Sequence, residues 1–211
     1  MSSALPLPKR RSIRLEEYDY TDEGGYFVTI VTHHFQYVLG EIRDGQVHLN
    51  EFGRIAQEEW FKTQALRPYV DLLDDEIIVM PNHIHGIIWI TNTFGGKGEK
   101  DTDIHGTGTA RRARTRNLFN LPRDNESLHQ GTRRFGVSTP NSLPTIVGAY
   151  KSAVTKRINQ LGRTPGVSIW HRNYYEHIIN TETEYENIVN YVADNPANWG
   201  LKEEEDPFPQ K

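Results

Sequence analysis

Cysteine is absent from the 211 residues. That excludes disulfides and thiolate metal sites and fits a reducing cytoplasm. Long apolar runs are absent too; none approaches the ~20 residues a membrane helix needs. The first residues, MSSALPLPKRR, place their basic side chains after a short, weak apolar stretch, unlike a secretory leader. No G-x-x-x-x-G-K-[ST] phosphate loop occurs, and Gly95-Gly96-Lys97-Gly98 does not fit one. An overall basic charge is also lacking. The net charge of −4 argues against a general nucleic-acid coat protein. The charge is uneven, however. Residues 97–139 hold nine Lys/Arg against five Asp/Glu, a local +4, and Lys9, Arg10, Arg11 and Arg14 form a second basic cluster. Such clusters hold phosphates even on an acidic chain.

What is present centres on Met80-Pro81-Asn82-His83-Ile84-His85-Gly86-Ile87-Ile88-Trp89-Ile90. The apolar run reads as a buried strand. Side chains alternate across a strand, so His83 and His85 share a face and Ile84 points to the other. Two neutral imidazoles side by side make half of a metal site. Alone, the pair is weak evidence. A cupin-type site wants a Glu a few residues on, and residues 86–93 contain none. An amidohydrolase-type pair belongs in a barrel of about 250 residues.

The remaining pattern is that of one α+β domain over residues 25–200. A basic arm (1–24) precedes it, an aperiodic loop (93–142) is inserted in it, and an acidic tail (201–211) follows. Residues 26–33 are β-branched and aromatic, a first strand. Residues 37–49 suggest a hairpin around Asp44-Gly45. Asn50 caps a helix to about Leu66, ended by Pro68. Residues 75–80 form a second strand, joined to the histidine strand (83–91) as a tight hairpin or as one bent element. Pro144 opens a helix to about Leu161, with Ile146, Val147, Tyr150, Val154, Ile158 and Leu161 in one stripe. Residues 168–179 read as a further strand or strand pair. A last helix spans 182–194, with Thr181 and Glu184 as a capping box and Pro196 disfavouring helix at Asn195. This order predicts a ferredoxin-like (RRM-like) antiparallel sheet with helices packed on one face.

On the last helix Tyr185, Ile188, Val189 and Val192 form the core stripe. Tyr191 falls on its flank, and Asn195 lies one turn further on nearly the same side. A hydroxyl-bearing ring there can face the sheet across a cleft. The Asn195 amide oxygen can complete a donor set with the two imidazoles, leaving positions open for substrate oxygens.

Pro81-Asn82-His83-Ile84-His85-Gly86 resembles the His-hydrophobic-His motif of HUH single-strand DNA endonucleases. Trp170-His171-Arg172-Asn173-Tyr174-Tyr175-Glu176-His177-Ile178-Ile179, followed by Tyr191-Val192-Ala193-Asp194-Asn195-Pro196-Ala197-Asn198-Trp199, resembles the C-terminal signature of the REP-associated tyrosine transposases. The resemblance covers residues 9–92 and 143–200. It implies that His83, His85 and Asn195 are metal ligands, with Mg²⁺ or Mn²⁺ as the cofactor, and that Tyr191 is the nucleophile on the C-terminal helix. It implies cleavage and rejoining of single-stranded, hairpin-associated (REP-like) DNA through a 5′-phosphotyrosine. The protein is then expected to be cytoplasmic, associated with the nucleoid and free of membrane contact, as a monomer or homodimer. Transesterification conserves the phosphodiester energy in the covalent link, so the missing nucleotide loop is consistent.

Two other functions fit parts of the pattern: a non-catalytic nucleic-acid binder, and a metal-dependent phosphodiesterase that uses water instead of Tyr191. Lys151, Lys156 and Arg157 lie off the apolar stripe of their helix. With Lys9, Arg10, Arg11 and Arg14 they are candidates for DNA-phosphate contacts, although such side chains are ordinarily a solvated face. Tyr174 and Tyr175 are rival nucleophiles; one should be core and the other free to stack on a base. His33-His34 read as a polar strand end, and His171 and His177 as packing or surface residues.

Overall fold

The computed structural model describes residues 18–91 and 139–200. Lys9, Arg10, Arg11 and Arg14, the acidic tail and most of the inserted loop lie outside the described residues. Ten elements follow in order: β1 (Gly24–Val31), β2 (Gly40–Arg43), β3 (Gln46–Leu49), α1 (Glu51–Leu66), β4 (Val70–Asp71), β5 (Ile77–Val79), β6 (His83–Ile90), α2 (Leu143–Gly162), β7 (Tyr175–Ile179) and α3 (Glu182–Asp194).

The architecture is α+β with an antiparallel sheet. β6 and β1 pair along their whole length, β7 pairs the other edge of β1, and β5 pairs β6. The order β7-β1-β6-β5 is that of a ferredoxin-like layer. β4 also pairs β6, Val70 opposite Ile90. β2 and β3 form a separate hairpin, whose turn residues Asp44 and Gly45 both take positive φ (52° and 69°), as the sequence pattern requires. β5 and β6 form a tight hairpin closed by Met80 N–H donating to the His83 carbonyl at 2.8 Å, which decides between the two joins left open.

The sheet is covered on both faces. One face carries Tyr26, Val28, Ile30, Ile84 and Ile88, packed under α1 (Ile55, Ala56, Trp60) and α2 (Ile146, Val147, Tyr150, Val154). The alternate residues Phe27, Ile87, Trp89 and Ile179 pack against Tyr185 and Val192 of α3. Two helices thus share a face, and the C-terminal helix lies on the opposite one, with the histidines. Gly86 shows how tightly the first face closes. A Cβ there would meet the Trp60 indole at 2.5 Å, and that indole is 2 % exposed and has nowhere to move. We expect Gly86→Val to cost about 1–3 kcal/mol through overpacking, read as a lower urea midpoint at unchanged slope.

Four local expectations need correction. The strand expected at 75–80 begins at Ile77, because Asp74–Glu76 form a 3₁₀ turn. Of 168–179 only Tyr175–Ile179 is strand; Trp170 makes a single bridge to Thr32. Thr181 caps α3 by accepting from Glu184 N–H at 3.2 Å, but the Glu184 carboxylate accepts from Asn180 N–H, one residue short of a reciprocal box. Asn195 keeps helical dihedrals (φ −56°, ψ −43°) despite Pro196. The turns that continue through Asn198 and Trp199, bonded back to Asp194 and Pro196, outweigh the pre-proline bias.

Candidate active site

The register places the site. His85 stands opposite Thr29 and His83 opposite Val31, so both imidazoles lie on the α3 face of the sheet. Their rings are 4.4 Å apart. Both are buried, at 9 % and 6 % exposure. Each ring is fixed through Nδ1: His83 by the Asn82 Oδ1 at 2.6 Å, His85 by the Thr29 hydroxyl at 2.9 Å. With the proton on Nδ1, each Nε2 presents a lone pair, the form a metal ligand or proton acceptor needs. Phe27 stacks on His85 at 5.4 Å and Trp199 on His83 at 5.9 Å.

Burial lowers the basicity of both rings. His83 is held down at about 4 by desolvation, partly offset by the side chain of Asn195 beside it. His85 lies well below the usual imidazole value, through burial and then the neighbouring His83. Both are therefore neutral at pH 7. The Nε2 of His83 is a buried nitrogen that lacks a partner in bonding geometry among the described residues. That of His85 faces the Tyr191 hydroxyl at 3.2 Å.

Tyr191 is half exposed and packs edge-on against Phe27 and His85. The structure thus brings His83, His85, Tyr191 and Asn195 together within one chain. It separates the rival tyrosines: Tyr174 is buried in the α1/α2 core, while Tyr175 is exposed on the histidine face, opposite Thr29.

The expected phosphate contacts on α2 are placed differently. α2 packs on the face away from the histidines. The Lys151 ammonium donates to the carbonyls of His171, Arg172 and Asn173 at 2.7, 3.0 and 3.4 Å, and burial brings its pKa down to about 8. Lys151 therefore holds the chain leading into β7. Arg157 pairs with Glu58 and Glu59, each at 2.7 Å, tying α2 to α1. Lys156 is exposed.

Sequence reasoning missed four residues of the site. Asn82 and Thr29 orient the imidazoles, and Trp199 covers His83. Glu76, 1 % exposed, accepts from Tyr185 OH at 2.6 Å and Trp89 Nε1 at 2.8 Å. It anchors the helix that carries Tyr191. Asn82 and Trp199 lie inside the two quoted motifs, which was their only signal. The others depend on cross-strand and long-range pairing.

The residues fit a divalent cation. Two imidazole nitrogens on one rigid strand, one of them a partnerless buried atom, stand beside an amide side chain. Among the described residues no group of three or more His, Cys, Asp or Glu is arranged to hold a metal ion; the side chain next to His83 that could add a third donor is the neutral amide of Asn195.

An uncharacterized protein of Haemophilus influenzae is 32 % identical over 190 residues, spanning 90 % of this chain and 89 % of that one. The two proteins belong to one family. No family model matches the chain. Structural neighbours include a REP-associated tyrosine transposase bound to a REP hairpin, with 14 % identity, TM-score 0.46, and 92 % of this chain and 76 % of that one covered. A candidate transposase from Deinococcus radiodurans is another, with 13 % identity, TM-score 0.40, and 88 % and 96 % covered. Among the described residues no helix is long and apolar enough to cross a membrane.

Proposed function

We propose that this protein and its Haemophilus relative are single-tyrosine transposases that cleave and rejoin hairpin-associated single-stranded DNA. The observation that carries the reading is the Tyr191 hydroxyl 3.2 Å from His85 Nε2, on the face where His83 keeps a bare nitrogen. A half-exposed phenol beside a neutral buried histidine pair is a nucleophile next to a cation site, not a core tyrosine.

His83 Nε2, His85 Nε2 and the Asn195 amide oxygen would hold Mg²⁺ or Mn²⁺. When bound, the cation supplies Lewis-acid polarisation of a phosphoryl oxygen. The chain's own part is nucleophilic. The Tyr191 oxygen bonds to phosphorus and the P–O3′ bond breaks. The tyrosine proton passes, in net, to the departing 3′ oxygen, leaving a 5′-phosphotyrosine and a free 3′-hydroxyl. A phenol has a pKa near ~10, so that proton needs an acceptor. In the tautomer with its proton on Nδ1, His85 Nε2 accepts the hydrogen bond from the Tyr191 hydroxyl. The same lone pair is the one a metal would take, so the two uses exclude each other. Rejoining runs the same exchange in reverse.

The test is to incubate the full chain with end-labelled hairpin DNA and Mn²⁺, starting from a REP-type hairpin. The expected product is a denaturation-resistant protein–DNA adduct carrying the 3′ portion of the strand, together with a fragment ending in a 3′-hydroxyl. Cleavage without an adduct would instead mark a water-using phosphodiesterase. Binding without cleavage would mark a binding module.

A further inference from the structure

Three of the six large apolar or aromatic side chains left exposed among the described residues are tyrosines: Tyr37, Tyr175 and Tyr191. All three adjoin the histidine face. Tyr191 has a role in the proposed reaction; Tyr37, 66 % exposed, has none. Its backbone is nevertheless pinned on both sides. Thr32 Oγ1 donates to the Gln36 carbonyl at 2.8 Å, and Asn50 Nδ2 donates to the Val38 carbonyl at 2.9 Å. The turn just before it holds His34 and Phe35 at φ 55° and 54°, a left-handed conformation that costs free energy for non-glycine residues. A strained and doubly anchored turn thus carries an aromatic ring out into solvent.

That ring meets Trp199, with centroids 5.6 Å apart at 61°. Trp199 in turn stacks on His83. The segment carrying Trp199 is braced by the β2–β3 turn, where a Cβ on Gly45 would lie 3.7 Å from the Ala197 Cα. An aromatic path therefore runs from the bare nitrogen of His83 outward through Trp199 to Tyr37.

Resting on the proposed DNA chemistry, we propose that Tyr37 and Trp199 form a stacking subsite for one unpaired nucleobase next to the scissile phosphate at the His83–His85 site. Every base offers a flat π face, and a pre-ordered ring accepts it at little entropic cost. No hydrogen-bond donor set is needed, so the subsite selects for an unstacked base more than for its identity. It makes single-strandedness at this one position a condition for tight binding.

A thermodynamic cycle tests it. Fluorescence anisotropy would give Kd for the full chain without divalent metal, on a hairpin with a single-stranded extension. An abasic position would be walked through the extension, with wild type, Tyr37→Ala and Tyr37→Phe compared. Tyr37→Ala is expected to weaken binding roughly 5- to 100-fold, while Tyr37→Phe keeps it. One abasic position should weaken wild type by a similar factor and cost Tyr37→Ala nothing more. Binding of Tyr37→Ala equal to wild type, or losses that add at every abasic position, would overturn the subsite alone. Wild type that binds no hairpin DNA would overturn the DNA reading and the subsite with it.

Discussion

Tyr191→Phe is expected to yield no covalent DNA adduct and to lower cleavage at least ~10⁴-fold, the scale on which losing a nucleophile is felt. Hairpin affinity should stay within about twofold of wild type, because a half-exposed ring loses only its hydroxyl. The substitution removes one atom, and that atom touches His85 Nε2. The Phe27 and His85 ring contacts survive in the variant. Tyr175→Phe is the matching control. Its ring is exposed on the same face, opposite Thr29 rather than bonded to an imidazole, and its adduct should persist. Gel analysis under denaturing conditions separates adduct from cleavage, and anisotropy reads affinity. An undiminished adduct in Tyr191→Phe would remove Tyr191 as nucleophile; loss of adduct in Tyr175→Phe instead would transfer the role.

The parts of the site that sequence reveals are those set by local periodicity. His83 and His85 share a face because strand side chains alternate, and Tyr191 and Asn195 share a side because helix positions four apart do. The match between those two local facts depends on α3 lying on the histidine face. Helical spacing alone does not choose a face: α1 and α2 have stripes of the same kind and take the other one. Asn195 shows a second limit. The pre-proline rule argues for an extended residue, which would carry the amide away from Tyr191. The structure keeps it helical because following turns bond back into the helix end. Thr29, Glu76 and Lys151 were hidden for a common reason. Their partners are 56, 109 and 20–22 residues distant, and such pairs exist only once the sheet has closed. Lys151 also shows how a cation that looks solvated on a helical wheel can be turned inward by exposed carbonyls of a neighbouring loop.

The metal-free protein is expected to lose stability steeply as pH falls below 6.5. His83 has a folded value of about 4 against 6.5 for a free imidazole. Above pH 6.5 it is neutral in both states and favours neither. Between 6.5 and 4 the unfolded chain takes up a proton that the folded chain refuses, a loss of about 3 kcal/mol. His85 is shifted in the same direction by burial and its neighbour, and it adds to the fall. Glu76 acts the other way. Burial pushes its carboxyl up to about 6 against the Tyr185 and Trp89 hydrogen bonds, with Asp71 adding to the rise. Its ionisation destabilises the fold as pH climbs through 4.5 to 6, by about 2 kcal/mol, so acidification there returns part of what the histidines lose. Urea unfolding at stepped pH should therefore show a stability profile that declines below 6.5, with a shallower slope between 6 and 4.5. His83→Leu should flatten the decline by removing one refused proton, and Glu76→Gln should steepen it by removing the offset. Mn²⁺ at about a hundred times its Kd should raise wild-type stability by about 2.7 kcal/mol at pH 7. It should leave His83→Leu nearly unmoved, since that variant lacks the bare nitrogen. An equal Mn²⁺ response in both proteins would place the cation elsewhere and break the link between the histidine pair and Tyr191.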